Sequence, residues 1–446
     1  DDATGDPVGL RRARDGKTFP LSTVSGAGNL RTLTLEQALP ESILCRLPDG
    51  RYIGTSNDSA GGFGGRLWFA TGLLGALVKT PITSSSVAGL KNSLGTVLGA
   101  GVIQCAWPLA NGDFLFTGGD ASSRTCLWYA KASGGNFTVG ANVNNDDLIA
   151  VSDIGRAGGT HIGNVRALHE RSLCKATLAG SAVLLFGEYN VASGRVPGAA
   201  FDQCRVLRSN DSGKTWTPLL TWNTNGTTSQ MRHVHAVRQD PETGFVYILI
   251  GDNPWSSLIR WDGVSAAPPA NTELDSFNNF PGWECLAASE WNRSCDMLFD
   301  AAGGHYLIDN AQWGGFDRAM SVTKRGSLAL GKGSPINISA RRDPLIAVSL
   351  PDGGGIWVSM WDTTVGATRG FDVWSSPDLR SWTLIGHIPD IGSTGTVAVI
   401  ANVFWAAGKL LVSLAAGSGR IVSGAYGGTL VFNVDSMFSG TPAPLA

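Results

Sequence analysis

The sequence predicts an all-β chain built as a ring of seven four-stranded antiparallel blades. Three observations carry this expectation. The composition suits a turn-rich, strand-rich protein, with 59 Gly and 15 Trp among 446 residues and only 16% charged side chains. An apolar strand, a short Gly-centred turn and a second apolar strand recur along the whole chain. A polar turn, Ser209-x-Asp211-x-Gly213-x-Thr215-Trp216, closes one of the hairpins between these repeats.

The Gly-centred hairpins come in order as ILCRLPDGRYIGTS, IQCAWPLANGDFLFTGGD, CKATLAGSAVLLFGEY, HVHAVRQDPETGFVYILIGD, CDMLFDAAGGHYLIDN, LIAVSLPDGGGIWVSMWD and VIANVFWAAGKLLVSLAAG. Their turn glycines are Gly50, Gly112, Gly180, Gly244, Gly303, Gly353 and Gly408, spaced 50 to 68 residues apart. That period is the length of a four-stranded unit, and seven of them indicate a seven-bladed β-propeller. The expected boundaries are a lead-in over 1–40, the propeller over 41–434 and a tail over 435–446.

In the polar turn, Ser209 and Asp211 cap their own backbone, Gly213 supplies a positive φ, and Trp216 opens the returning strand. WYAKASGGNFT places Gly134 and Phe137 where Gly213 and Trp216 stand. WSSPDLRSWT keeps Ser375 and Trp382 at the same separation, with Asp378 one place late, and LWFATGLLGAL echoes LWYAKASGGNF. The turn therefore joins the third and fourth strands of a blade. It resembles the Asp-box, or BNR, motif, and nearly the whole chain resembles the sialidase-like propeller families that carry it.

A net charge of −2 gives no electrostatic case for nucleic acid or an anionic membrane as partner. No apolar run approaches membrane-spanning length, as expected of a soluble chain. The opening DDATGDP lacks Met, as in a processed protein or an excised fragment. The seven Cys are scattered without a CxxC pair and read mostly as buried small hydrophobes, with room for one or two disulfides. Six N-x-S/T sequons (Asn57, Asn136, Asn210, Asn225, Asn292 and Asn337) fit a secreted chain, although Asn, Ser and Thr are common enough here for several to arise by chance. The expected location is extracellular, or on a virion or cell surface.

With strands A to D counted outward, A–B and C–D turns share one face, so the B–C and D–A connections crowd the other. The B strands end at Asp58, Asp120, Glu188/Tyr189, Asp252/Asn253, Asp309/Asn310 and Trp361/Asp362. Each is a good turn cap. As a ring beside Trp255, Trp283, Trp313 and Trp361 they read as a sugar-binding surface, with amides and carboxylates for hydroxyls and indoles for pyranose faces. Blade three is the richest sector. His161, His169 and Arg171 precede it, Tyr189 ends its B strand, and Arg205 and Arg208 open its C strand. Blade four begins Arg232-His233-x-His235, and period-2 alternation sends both imidazoles to one side.

Arg, His and Tyr suit β-elimination beside a uronate: a cation for the carboxylate, a base for the C5 proton and an acid for the leaving oxygen. GEYN…CRVLRSNDSGKTW…HVHAV looks like the propeller lyases that cut uronate-containing polysaccharides such as ulvan. The resemblance implies Tyr189 as base and/or acid, His161 or His169 as its partner and Arg205 as carboxylate neutraliser. Arg232, His233, His235, Asp252, Asn253, Trp313 and Trp361 would bind an acidic polysaccharide or oligosaccharide. No cofactor is required. His233-x-His235 leaves room for a structural divalent metal. Two alternatives stand beside the lyase: a sialidase-like hydrolase, whose arginine signature is approached only by Arg195-Val196-Pro197, and a non-catalytic carbohydrate-binding or adhesion propeller.

Overall fold

A computed structural model describes most residues between Arg31 and Ser436. Outside the described residues lie 1–30, 58–64, 74–76, 85–86, 92–96, 98–102, 120–124, 134–135, 151–169, 189–202, 224–232, 252–255, 289–293, 309–317, 331–340, 363–368, 393–397, 417–427, 437–446 and isolated positions such as Pro40.

The chain forms seven four-stranded antiparallel sheets, as the period predicts. After β1 (Arg31–Leu39), blade 1 holds β2 (Ser42–Arg46), β3 (Tyr52–Asn57), β4 (Gly65–Thr71) and β5 (Val78–Pro81). Blade 2 holds β6 (Ala106–Pro108), β7 (Phe114–Gly119), β8 (Thr125–Ala130) and β9 (Leu148–Ala150). Blade 3 holds β10 (Leu173–Leu178), β11 (Ser181–Gly187), β12 (Gln203–Ser209) and β13 (Thr217–Asn223). Blade 4 holds β14 (His233–Gln239), β15 (Val246–Gly251), β16 (Ser257–Trp261) and β17 (Trp283–Ala288). Blade 5 holds β18 (Leu298–Asp300), β19 (Gly303–Ile308), β20 (Arg318–Thr323) and β21 (Leu328–Leu330). Blade 6 holds β22 (Arg341–Ser349), β23 (Gly355–Asp362), β24 (Arg369–Ser376) and β25 (Thr383–Gly392). Blade 7 holds β26 (Ala398–Ala406), β27 (Lys409–Ala416) and β28 (Thr429–Ser436), and its outer strand is β1. The segment expected to be a lead-in thus closes the ring, pairing from Arg31↔Ser436 to Leu39↔Thr429.

Six of the turn glycines sit between an A and a B strand and Gly303 opens its B strand, all with φ between 77° and 140°. The core lies between neighbouring blades. Val206, Leu220 and Trp222 of blade 3, for example, pack with Val234, Ile248, Ile259 and Trp261 of blade 4. Strands such as β15 (VYILIG) are therefore buried on both faces, which is why they read as continuous apolar runs rather than alternating ones. Where a large ring must cross a strand, its partner is Gly. Trp68 on β4 faces Gly54 on β3, where a Cβ would stand 2.1 Å from the indole. Asp296 ties three blades: it takes a bidentate pair from Arg238 of blade 4 at 2.7 and 3.0 Å and the Ala347 N–H of blade 6 at 2.9 Å.

The Ser209–Trp216 turn joins β12 to β13. Ser209 Oγ accepts the Gly213 N–H at 2.8 Å, Asp211 accepts the Thr215 N–H at 2.9 Å and hydroxyl at 2.5 Å, and Trp216 Nε1 donates to Gly213 O at 2.8 Å. Its proposed relatives differ in detail. In blade 6, Ser376, not Ser375, donates to Asp378, at 3.0 Å, so one residue is missing before Trp382. Phe137 does not open β9; it forms an isolated bridge with Thr83 after blade 1. Cys45, Cys105, Cys174, Cys204 and Cys295 are buried, as expected of small hydrophobes.

Candidate functional site at the junction of blades 3 and 4

The B-strand ends and C-strand starts meet on the face opposite the glycine turns, as antiparallel order requires. Glu188 follows β11 and Arg205 is in β12. Gly187↔Val206 is the last register pair, so the acid and the base fall opposite each other. They form a bidentate ion pair, Nε–Oε2 2.9 Å and Nη2–Oε1 2.6 Å, with side chains 2% and 1% exposed. Arg205, expected to meet a substrate carboxylate, meets a carboxylate of its own chain. Glu188 also joins the blades through its backbone, its N–H bonding Arg205 O at 2.9 Å and its carbonyl taking the Val234 N–H at 3.0 Å.

Val234 sits between the two histidines. The β14–β15 ladder slips between Val234 and Ala236, making His235 the extra residue of a β-bulge. Strict alternation is therefore broken, yet the bulge aims His235 alongside His233. Their rings stack at 4.9 Å and 24°, with Nε2 atoms 3.1 Å apart. His235 lies over Gly251, where a Cβ would stand 1.8 Å from Nε2. The inner strands β2, β22 and β26 slip at a similar place, passing over Leu44, Leu345 and Ala401. Blade 4 thus puts an imidazole where these blades carry an apolar residue.

His235 Nδ1 is 2.7 Å from Ser294 O, which can only accept, so Nδ1 carries a proton. In the neutral pair His235 Nε2 then accepts from His233 Nε2–H. Arg171, fully buried in the 3-10 turn Glu170–Ser172, packs against β14 and completes the layer. The sequence reading placed Arg171 nearby without weight, and it did not anticipate the carbonyl of Ser294.

Of the other expected site residues, Tyr189, His161, His169, Arg232, Asp252, Asn253 and Trp313 lie outside the described residues, and Trp361 is placed only by its position in β23. Trp283, read as a rim platform, is 2% exposed and stacks on Trp261 at 5.1 Å, so it is core. Among the described residues no three His, Cys, Asp or Glu side chains gather as metal ligands. A cavity of about 470 Å3 opens elsewhere, at the glycine-turn end of the channel, lined by residues including Arg238, Phe299, Phe404 and Trp405.

No protein-family profile matches the sequence. Among solved structures the chain is similar to the Dos1 propeller, with TM-score 0.41 and 11% identity, covering 90% of this chain and 94% of that one. It is similar to the lectin AAL of Aleuria aurantia, with TM-score 0.37, 13% identity and coverage of 92% and 100%. The endo-arabinase of Bacteroides thetaiotaomicron VPI-5482 gives TM-score 0.31, 13% identity and coverage of 63% and 98%. Likeness of this size concerns the fold alone.

Proposed function

We propose that the propeller acts on an acidic, uronate-containing polysaccharide by β-elimination, on the face opposite the glycine turns where blades 3 and 4 meet. The observation behind this reading is the layer of Arg171, Glu188, Arg205, His233 and His235, which gathers two of the chain's six His at one blade junction. Buried ionisable groups packed at strand ends are the usual setting of acid–base chemistry. Tyr189, directly after Glu188, is the proposed base and/or acid, with His161 or His169 as its partner. Arg205, held by Glu188, orders the end of the B strand in this proposal. Arg232, directly before His233, is then the cation offered to the substrate carboxylate. The proposed setting is extracellular.

The test is Tyr189→Phe, which keeps the ring and removes the proton-transfer group. Unsaturated product should fall by about 10²–10⁴-fold with oligosaccharide binding retained. Equal product formation by the variant would remove Tyr189 from the mechanism. One observation favours a second reading: the bidentate Glu188–Arg205 pair leaves that guanidinium engaged inside the protein. A non-catalytic glycan-binding propeller has this arrangement without need of a base. It is distinguished by binding of acidic oligosaccharides with no new chain ends.

A further inference from the structure

We propose that Asp300, His305 and Ser321 form a separate serine-nucleophile centre for acyl transfer, on the glycine-turn face between blades 5 and 6. The β19–β20 register sets His305 directly opposite Ser321. Ser321 Oγ is 2.8 Å from His305 Nδ1. The imidazole, 2% exposed, turns its other nitrogen to Asp300, with Nε2 2.8 Å from Oδ1. That approach is off the N–H direction, so the contact is electrostatic more than a linear hydrogen bond.

Asp300 is itself held in place. The Ala302 and Gly303 N–H groups donate to Oδ1 at 2.7 and 3.2 Å, and Arg380 of blade 6 reaches Oδ2 at 3.3 Å. Burial raises its carboxyl pKa, but the close contact of His305, the Ala302 N–H and the nearby Arg380 charge outweigh it, leaving a net value below the ordinary 3.8. An ionised carboxylate beside Nε2 favours the proton on that nitrogen and leaves the Nδ1 lone pair facing the serine hydroxyl. Ser321 is half-buried, while the Asp300 and Arg380 side chains are 30% and 35% exposed, so the cluster borders solvent. It shares no residue with the blade 3–4 layer and lies on the opposite face.

The substrate class is a small ester with an accessible carbonyl. Ser321 Oγ attacks the carbonyl carbon and its proton passes to His305 Nδ1. The tetrahedral adduct then breaks the bond to the alcohol oxygen, which leaves carrying that proton. Water repeats the sequence on the acyl-serine, releasing the acid and restoring Ser321.

The experiment is labelling of the folded protein with a fluorophosphonate, followed by mass spectrometry of the Ser321 peptide. The adduct should sit on Ser321, vanish in Ser321→Ala and form at least about ten-fold more slowly in His305→Gln. Asp300→Asn, which removes the carboxylate beside Nε2, should slow labelling as well. No adduct on Ser321, or equal labelling of the heat-unfolded chain, overturns the proposal and leaves the cluster as polar packing between blades. If His305→Gln does not fold, Asp300→Asn decides, and labelling of Ser321 at the wild-type rate in that variant overturns the proposal.

Discussion

The Arg205 guanidinium is 1% exposed, and its charge is balanced by Glu188. Replacing only one member takes away the bidentate partner of the other's buried charge. Glu188→Leu or Arg205→Met alone should therefore cost about 3–5 kcal/mol, whereas the two together should recover most of it. Chemical denaturation of the two single variants and the double variant reads this directly, and additive losses would contradict it. Asp211 gives a pH prediction. Burial raises its carboxyl pKa, but hydrogen bonds from Thr215 and Ser209 more than compensate, leaving it below the ordinary 3.8. A depressed folded-state value means stability that is present above 3.8 and lost as pH falls through the folded value. The stability gap between wild type and Asp211→Asn should thus be full near neutrality and close in acid. The Ser209–Trp216 turn was legible because its contacts lie within eight consecutive residues. The Glu188–Arg205 pair was not, because the connection 189–202 hides which residue ends opposite which. Ser375 stands in the sequence reading where the structure has Ser376, because an eroded motif can lose a residue on either side of its Asp.

Strands were legible as far as their apolar runs and turn glycines reached. Register was not. The bulge at His235 appears only when β14 is laid against β15, and the accommodating gap at Gly251 belongs to the other strand. Gly251→Ala should push His235 off its stack. The loss would show as disappearance of the hydrogen-bonded imidazole signals of His233 and His235 in NMR spectra, and an unchanged pair would contradict the packing. Strand β1 escaped the periodic reading for a different reason. It is separated in sequence from its blade by the rest of the ring, and its largely exposed pattern lacks the apolar run of an inner strand. A chain starting at Pro40 should lose the outer strand of blade 7 and expose the edge of β28. We expect a lower thermal midpoint and concentration-dependent association by size-exclusion chromatography. An unchanged melt would mean that β1 contributes little to closure.

The ring separates two faces. The glycine turns and the Ser209–Trp216 turn occupy one face, and the buried Glu188–Arg205 and His233–His235 layer lies toward the other. Blade number and strand order followed from the seven-fold period of the sequence, because each blade needs its neighbours to cover its apolar strands. The residues gathered where blades 3 and 4 meet did not follow in the same way, since the period does not constrain the connections between B and C strands. The proposed activity is elimination of a uronate glycan on the face where Glu188 and His233 lie. Its most direct test is the ultraviolet absorbance of the wild-type protein incubated with uronate-containing polysaccharides, because elimination creates a conjugated unsaturated uronate and hydrolysis does not. A steady rise in that band, nearly abolished in Tyr189→Phe, is the expected result. Reducing ends without the band, or glycan binding with neither, would contradict it.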